Sequence, residues 1–243
     1  MEYREFADMI RESRHIVFFG GAGVSTESGL KDYRSPDGIY KTAMTYGAPP
    51  EELLSHDCFM RNPQLFYRFY RDYFMTHAEP NATHRALARL EQLGYDVTIV
   101  TQNIDGLHQA AGSSKVYELH GTTSRLECPL CGRQYGRDLL ERTDGVPYCV
   151  CGAPVKPHVV LYGEQLDDSV VTGALRAISD ADLLIIGGTS LAVQPAASFV
   201  LAYRGSNIVM INKQPTQYDR MATLVFHESL GEVFREVMCE IDV

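Results

Sequence analysis

Four of the six cysteines fall within 24 residues, as Cys128-Pro-Leu-Cys131 and Cys149-Val-Cys151 with seventeen residues between the pairs. Tetrahedral zinc needs four soft ligands close together, and paired cysteines on tight turns supply them. Pro129, Gly132, Pro147 and Gly152 provide those turns. Four thiolates fill the coordination shell, so the spacing predicts a structural zinc with no open position for catalysis. A second signal is Gly20-Gly-Ala-Gly-Val-Ser-Thr26. Glycines there let backbone approach a pyrophosphate, with a helix N-terminus facing it. Gly21 and Gly23 fit the first two positions of a dinucleotide fingerprint, but Thr26 stands where a third glycine is expected. Thr101-Gln-Asn-Ile-Asp-Gly-Leu-His108 offers amide donors, acceptors and a carboxylate. His120-Gly121 offers a general base, since imidazole titrates near neutrality. Gly187-Gly-Thr-Ser190 is a further phosphate cradle. Asn212-Lys213 places an amide and a cation where a ribose could be read. Taken singly, the polar residues also read as caps and turns and the histidine as a packed residue.

Their agreement in position gives them weight. His15-Ile-Val-Phe-Phe19, Asp96–Thr101, Lys115–Leu119, Asp182–Gly187 and Asn207–Ile211 are apolar runs, not alternating ones. Each reads as a strand covered on both faces. Helical patterns lie at 4–13, 63–76, 83–93 (with Asn81 as N-cap), 170–178, 194–203 and 230–239. Strands alternating with helices predict an α/β fold with a Rossmann-like, doubly wound parallel sheet. Such a sheet gathers the C-terminal strand ends, where ligands bind. Residues 30–62 hold no long periodic segment. The block 121–157 interrupts the alternation and reads as an inserted module.

The chain has 243 residues, 45% hydrophobic and 22% charged, which suits one large domain or two intimate ones. No apolar run approaches the roughly 20 residues that span a bilayer. A net charge of −9 without a basic cluster argues against nucleic-acid binding. The N-terminus lacks signal-peptide character, and clustered cysteines suit a reducing compartment. A cytoplasmic monomer that engages neither membrane nor nucleic acid is expected.

Gly21-Ala-Gly-Val-Ser-Thr-Glu-Ser-Gly-Leu-Lys-Asp-Tyr-Arg34 resembles the first motif of the sirtuins, NAD-dependent protein-lysine deacylases. Gln102-Asn-Ile-Asp105, His120-Gly121, the cysteine quartet, Lys156-Pro-His-Val-Val-Leu-Tyr-Gly-Glu164, Gly188-Thr-Ser-Leu191 and Ile211-Asn212 follow in the family's order. The resemblance is to compact bacterial sirtuins. It implies a NAD-binding domain from 1–30, 78–120 and 157–243. It also implies a small domain, made of a helical module at 31–77 and a zinc module at 121–156.

By the same resemblance, Gly21, Ala22, Gly23, Thr26, Asp32, Tyr33 and Arg34 line the phosphate and nicotinamide-ribose region. Gln102 and Asn103 hold the ribose, with Asn103 also in the catalytic set, and Ile104 and Asp105 hold the nicotinamide amide. Gly188, Thr189 and Ser190 contact phosphates and the distal ribose. Asn212, Lys213 and Leu230 serve the adenosine end. Val159, Val160, Tyr162, Gly163 and Glu164 pair with an acetyl-lysine peptide or protein as an added strand, and Val193 approaches it from the other side. The implied reaction consumes NAD. The acyl oxygen attacks the ribose carbon, nicotinamide leaves, and His120 acts as general base on a ribose hydroxyl. The products are lysine, nicotinamide and O-acetyl-ADP-ribose.

The chain departs from the family at Lys31, Tyr33 and Tyr162, where proline, phenylalanine and phenylalanine are usual; rate is expected to change more than activity. Sirtuins that remove acidic acyl groups carry Tyr-x-x-Arg on the helix lining the acyl pocket. Neither Tyr67 nor Tyr70 has arginine three residues on, so an uncharged acyl group, acetyl first or a longer one, is expected. Three rivals remain. An oxidoreductase would need the third glycine and an acidic residue ending the second strand. A mono-ADP-ribosyltransferase would share only nicotinamide release. A zinc-ribbon binding module would carry a dead nucleotide site.

Overall fold

A computed structural model describes residues 1–32 and 38–241. Nine strands lie among the described residues: β1 His15–Gly20, β2 Asp96–Thr101, β3 Val116–Glu118, β4 Gly121–Glu127, β5 Gln134–Gly136, β6 Lys156–Val159, β7 Leu183–Gly187, β8 Asn207–Ile211 and β9 Leu224–Phe226. Six of them form a parallel sheet in the order β3-β2-β1-β7-β8-β9. From β1 the chain steps outward to β2 and β3, then returns beside β1 with β7. The order therefore reverses between β1 and β7, the switch point where open α/β sheets bind ligands.

Successive side chains of a strand point to opposite faces. Ile16 and Phe18 of β1 join Ile99, Ile185 and Val209 in one core layer, beneath the helices Glu2–Glu12, Ala82–Gln92 and Leu230–Ile241. Val17 and Phe19 join Leu184, Ile186 and Met210 in the other, beneath Asp168–Asp180 and the 3-10 segment Ala196–Ala202. Burial on both sides is why these strands read as unbroken apolar runs. The expected helix at 194–203 is instead that 3-10 segment.

A third core lies apart from the sheet. Phe59, Phe66, Tyr67, Phe69 and Tyr70 pack with Leu126, Leu140 and Val155 around the buried cysteines Cys128 and Cys149. Its frame is the antiparallel sheet β5-β4-β6, with four helices from 39 to 74 against it. Three of those helices are only four to six residues long. Ser55 and Asn62 cap the two helices His56–Arg61 and Pro63–Phe74, each accepting a backbone N–H. No described helix is long and apolar enough to cross a membrane.

Candidate active site

A cleft of ≈ 1980 Å³ opens between the parallel sheet and the third core. Among the sequence-predicted residues, the turns at Gly21–Gly23 and Gly188–Ser190, Gln102–Asp105, His120, Asn212, Lys213 and Leu230 all line it. So do Thr26, Asp32, Val159, Val160, Tyr162, Gly163, Glu164 and Val193. Tyr33 and Arg34 lie outside the described residues.

The two glycine turns interlock. The Gly23 N–H donates to the Gly188 carbonyl at 2.8 Å, and the Gly188 N–H donates to Ile211 at 3.1 Å. A Cβ at Gly23 would stand 2.8 Å from Gly188 backbone; one at Gly188 would stand 2.4 Å from the Val24 nitrogen, on backbone with φ +61°. Only glycine allows this approach. The chain leaves β1 into a 3-10 helix, Ala22–Ser28, and Thr26 donates from its hydroxyl to the Gly23 carbonyl at 2.9 Å. Gly23→Ala is expected to destabilise the chain by about 1–3 kcal/mol and to weaken NAD binding. Calorimetric melting with and without NAD checks this; wild-type affinity would remove the turn from the site.

The strand ends are joined by polar links. Gln102 donates to the Thr189 hydroxyl at 3.0 Å, and Thr189 N–H donates to Asn212 Oδ1 at 2.9 Å. Asn103 donates to Ser25 Oγ at 3.1 Å, and Ser25 donates to Asp105 Oδ2 at 2.7 Å. Leu107 N–H holds the other Asp105 oxygen at 2.9 Å. Asp105 thus faces the cleft in a fixed orientation. Ser25 is invisible to sequence reasoning because it lies 78 and 80 residues from its partners. Leu230 packs over Gly187 and Gly188, which leave room for it by lacking side chains.

His120 lies just beyond β3 and is pinned twice. Its carbonyl accepts from Val160 N–H at 2.9 Å, and Nδ1 lies 2.9 Å from the Gln102 carbonyl. A carbonyl can only accept, so Nδ1 carries the proton and Nε2 keeps its lone pair in the neutral ring. Burial pulls the imidazole below its ordinary pKa, against the opposing bond to Gln102. Gly121, at φ +76°, lets β4 leave the histidine directly against β6; a Cβ there would stand 2.1 Å from the His158 carbonyl.

The proposed peptide-pairing stretch is only partly open. β6 ends at Val159, and Val160 N–H already bonds His120. Tyr162 bonds through both backbone groups to Leu54 and His56. Leu161 N–H donates to Glu164 Oε2 at 2.9 Å, and Lys156 Nζ pairs with that oxygen at 2.9 Å. Burial opposes ionisation of Glu164, but Leu161, His56 and Lys156 together hold its carboxyl below the ordinary value. Glu164 therefore ties this stretch to the third core. Tyr162 and Val193 are exposed on the cleft wall.

Behind Asp105 lie two histidines that the sequence does not single out. His84 and His108 are buried with ring centroids 4.6 Å apart, and His84 Nε2 and both His108 nitrogens have no hydrogen-bond partner. Burial lowers His84 to about 4 and His108 to about 3. The unfolded chain binds these protons near the ordinary 6.5, whereas the folded chain does not. Stability is therefore expected to fall as pH drops from 6.5 towards 4. Imidazole NMR signals should show neither ring titrating above pH ~5; a midpoint near 6.5 would contradict the buried neutral pair.

The cysteine quartet converges. All four sulfurs lie within 4.8 Å of one another, with Cys128–Cys151 at 3.5 Å and Cys131–Cys149 at 3.6 Å. Zinc with ~2.3 Å bonds in a tetrahedron needs sulfur separations of about 3.8 Å. Gly132 (φ +70°) and Gly152 (φ +88°) close matching turns, donating back to Cys128 and Cys149 at 2.9 Å each. The Tyr135 hydroxyl donates to Cys149 Sγ at 3.0 Å, as an outer-shell partner of a thiolate would. The donor set fits zinc.

This parallel sheet, its switch-point cleft and an appended four-cysteine module define a nucleotide-binding α/β protein with a structural metal site. The sequence profile described as Sir2 family matches residues 21–195, and the chain belongs to that family. It is 50% identical over 238 residues to the NAD-dependent protein deacetylase of Cutibacterium acnes, covering 98% of each. It is likewise 50% identical over 234 residues to that of Clostridium perfringens, covering 95% of this chain and 96% of the relative. Among solved structures, Sir2 with a deacetylated p53 peptide and 3'-O-acetyl ADP ribose superposes with a TM-score of 0.90 at 37% identity, covering 99% of this chain and 98% of that one. Sir2 with p53 peptide and NAD+ superposes at 0.87 and 36% identity, with the same coverage.

Proposed function

We propose that this chain is a NAD-dependent protein-lysine deacetylase. The observation that carries the reading is His120: its tautomer is set by the Gln102 carbonyl, and it stands in the cleft where the parallel strand ends meet. When bound, NAD supplies a ribose carbon from which nicotinamide departs and a ribose hydroxyl that accepts the acetyl group. His120 Nε2 takes the proton from that hydroxyl. Gly21, Ala22, Gly23, Thr26 and Gly188–Ser190 form the pyrophosphate cradle, supported by the missing side chains at the interlocked turns. Gln102 and Asn103 orient the ribose; Ile104 and Asp105 hold the nicotinamide amide, with Asp105 steadied by Ser25. By the sequence motif, Asp32, Tyr33 and Arg34 are assigned to the phosphate and nicotinamide-ribose region. Asn212, Lys213 and Leu230 receive the adenosine end.

An acetyl-lysine peptide enters along Val159–Glu164, with Val193 opposite. The bonds already made at Val160, Leu161 and Tyr162 leave Gly163 and the Val160 carbonyl as its backbone partners. The two-part division at 1–30, 78–120 and 157–243 against 31–77 and 121–156 belongs to this reading and is supported by the separate third core. So does a cytoplasmic monomer that binds no nucleic acid directly, supported by the net charge of −9 and the thiols gathered for metal. Nicotinamide release should require both NAD and an acetyl-lysine peptide. Release with ADP-ribose transferred to protein, and no acetyl loss, would favour the transferase instead.

A further inference from the structure

Lys31 stands where sirtuins usually carry proline, yet its backbone is held from both sides of the cleft. On the sheet side, Leu30 N–H donates to the Ser25 carbonyl at 3.2 Å. Ser25 is the residue whose hydroxyl also steadies Asp105. On the other side, the Tyr73 hydroxyl lies 3.0 Å from the Lys31 carbonyl and 3.1 Å from the Asp32 carbonyl. A carbonyl can only accept, so one phenolic proton is shared between two acceptors. The Asp32 carbonyl also accepts from Ile39 N–H at 3.1 Å, and Ile39 is buried in the third core. Lys31 and Asp32 therefore cross from the glycine turn to the third core, and both line the cleft together with Tyr73.

Tyr73 is itself fixed. It lies in the last turn of the helix Pro63–Phe74. Its ring stacks on the buried Phe69 with centroids 6.2 Å apart and meets Phe74 edge-on at 5.1 Å. Burial, and then the charge of Asp32, push the phenol pKa up, so the hydroxyl stays protonated and donating. Proline fixes φ and leaves less backbone freedom to lose when a segment is ordered. Lysine keeps that freedom, and a hydrogen bond from a fixed group offsets the cost of losing it. We propose that Tyr73 is a positioning residue for the dinucleotide: its hydroxyl sets the Lys31–Asp32 backbone against the cleft, in place of the ring constraint that proline would supply at position 31. The proposal rests on the deacetylase reading for the identity of that dinucleotide as NAD. It acts by preorganisation, so binding gains and the chemical step does not. Tyr73 is hidden in the sequence because it is one of three tyrosines on its helix and lies 42 and 41 residues from its partners.

The test compares the zinc-loaded full chain with its Tyr73→Phe variant, which keeps the ring and its packing and removes one oxygen. Exchange of the Ile39 amide hydrogen, read by NMR, reports opening at Asp32, because Ile39 N–H bonds the same carbonyl. Y73F should raise that rate about three- to tenfold, as loss of one hydrogen bond does, with Tm within about 2 °C of wild type. KM for NAD should rise by a similar factor, with kcat and the KM for an acetyl-lysine peptide unchanged. Unchanged exchange, or faster exchange with an unchanged KM for NAD, would overturn the proposal. A lower Tm with both KM values raised would mean a packing role alone and would overturn it as well. If the wild type removes no acetyl group, the deacetylase reading fails and the Kd for NAD, measured by calorimetry, decides the proposal separately. A weaker Kd in Y73F supports it, and an equal one overturns it.

Discussion

Replacing His120 with alanine is expected to abolish measurable deacetylation while leaving the fold intact. General-base catalysis contributes roughly 10²–10⁴-fold, and no other imidazole among the described residues lines the cleft beside the strand ends except His77, on the far segment after the helix Pro63–Phe74. The side chain is half-buried and bonds to the Gln102 carbonyl, so its loss costs little stability. The pH dependence has the same origin. Burial lowers the imidazole pKa, and the base works only when neutral. The acid limb of kcat/KM should therefore lie below the ordinary histidine value of 6.5. In H120A that limb should vanish with the activity. Turnover within about threefold of wild type, or an acid limb above 6.5, would contradict the role.

Removing the metal should have an equally large effect, on structure first. Cys128 and Cys149 are buried within the third core, against the residues that also pack Tyr67 and Leu140. Structural zinc contributes on the order of 10 kcal/mol in small zinc domains, comparable to the ~5–15 kcal/mol that holds a whole domain folded. Cys149→Ser leaves three thiolates and loses the Tyr135 contact. It is expected to lower Tm by more than ~10 °C, release zinc from one ion per chain to none, and expose 121–157 to protease. Activity falls with it, because β4 and β6 flank His120. An unchanged Tm and zinc content in this variant would refute the metal site.

Legibility in the chain tracks burial and length. β1, β2, β7 and β8 are covered on both faces, so they appear as apolar runs with ends correct to a residue. β9 is three residues long and the short helices of 39–61 complete at most two turns; neither length shows a period. The sheet β5-β4-β6 was hidden because β5 and β6 are only three and four residues long, the register of β4 on β6 shifts, and the cysteine spacing dominated the segment. At the site, motif residues that sit on strand ends were legible. Ser25 and the His84–His108 pair were not, since each matters only through neighbours distant in sequence. The bonds that Tyr162 makes to Leu54 and His56 were hidden for the same reason, since they cross more than 100 residues.

The most direct test is mass spectrometry of an acetyl-lysine peptide incubated with the protein, with and without NAD. The account predicts loss of the acetyl group only with NAD, and O-acetyl-ADP-ribose appearing mole for mole with free lysine. Acetyl loss without NAD, or free acetate in place of O-acetyl-ADP-ribose from the first turnover, would contradict it.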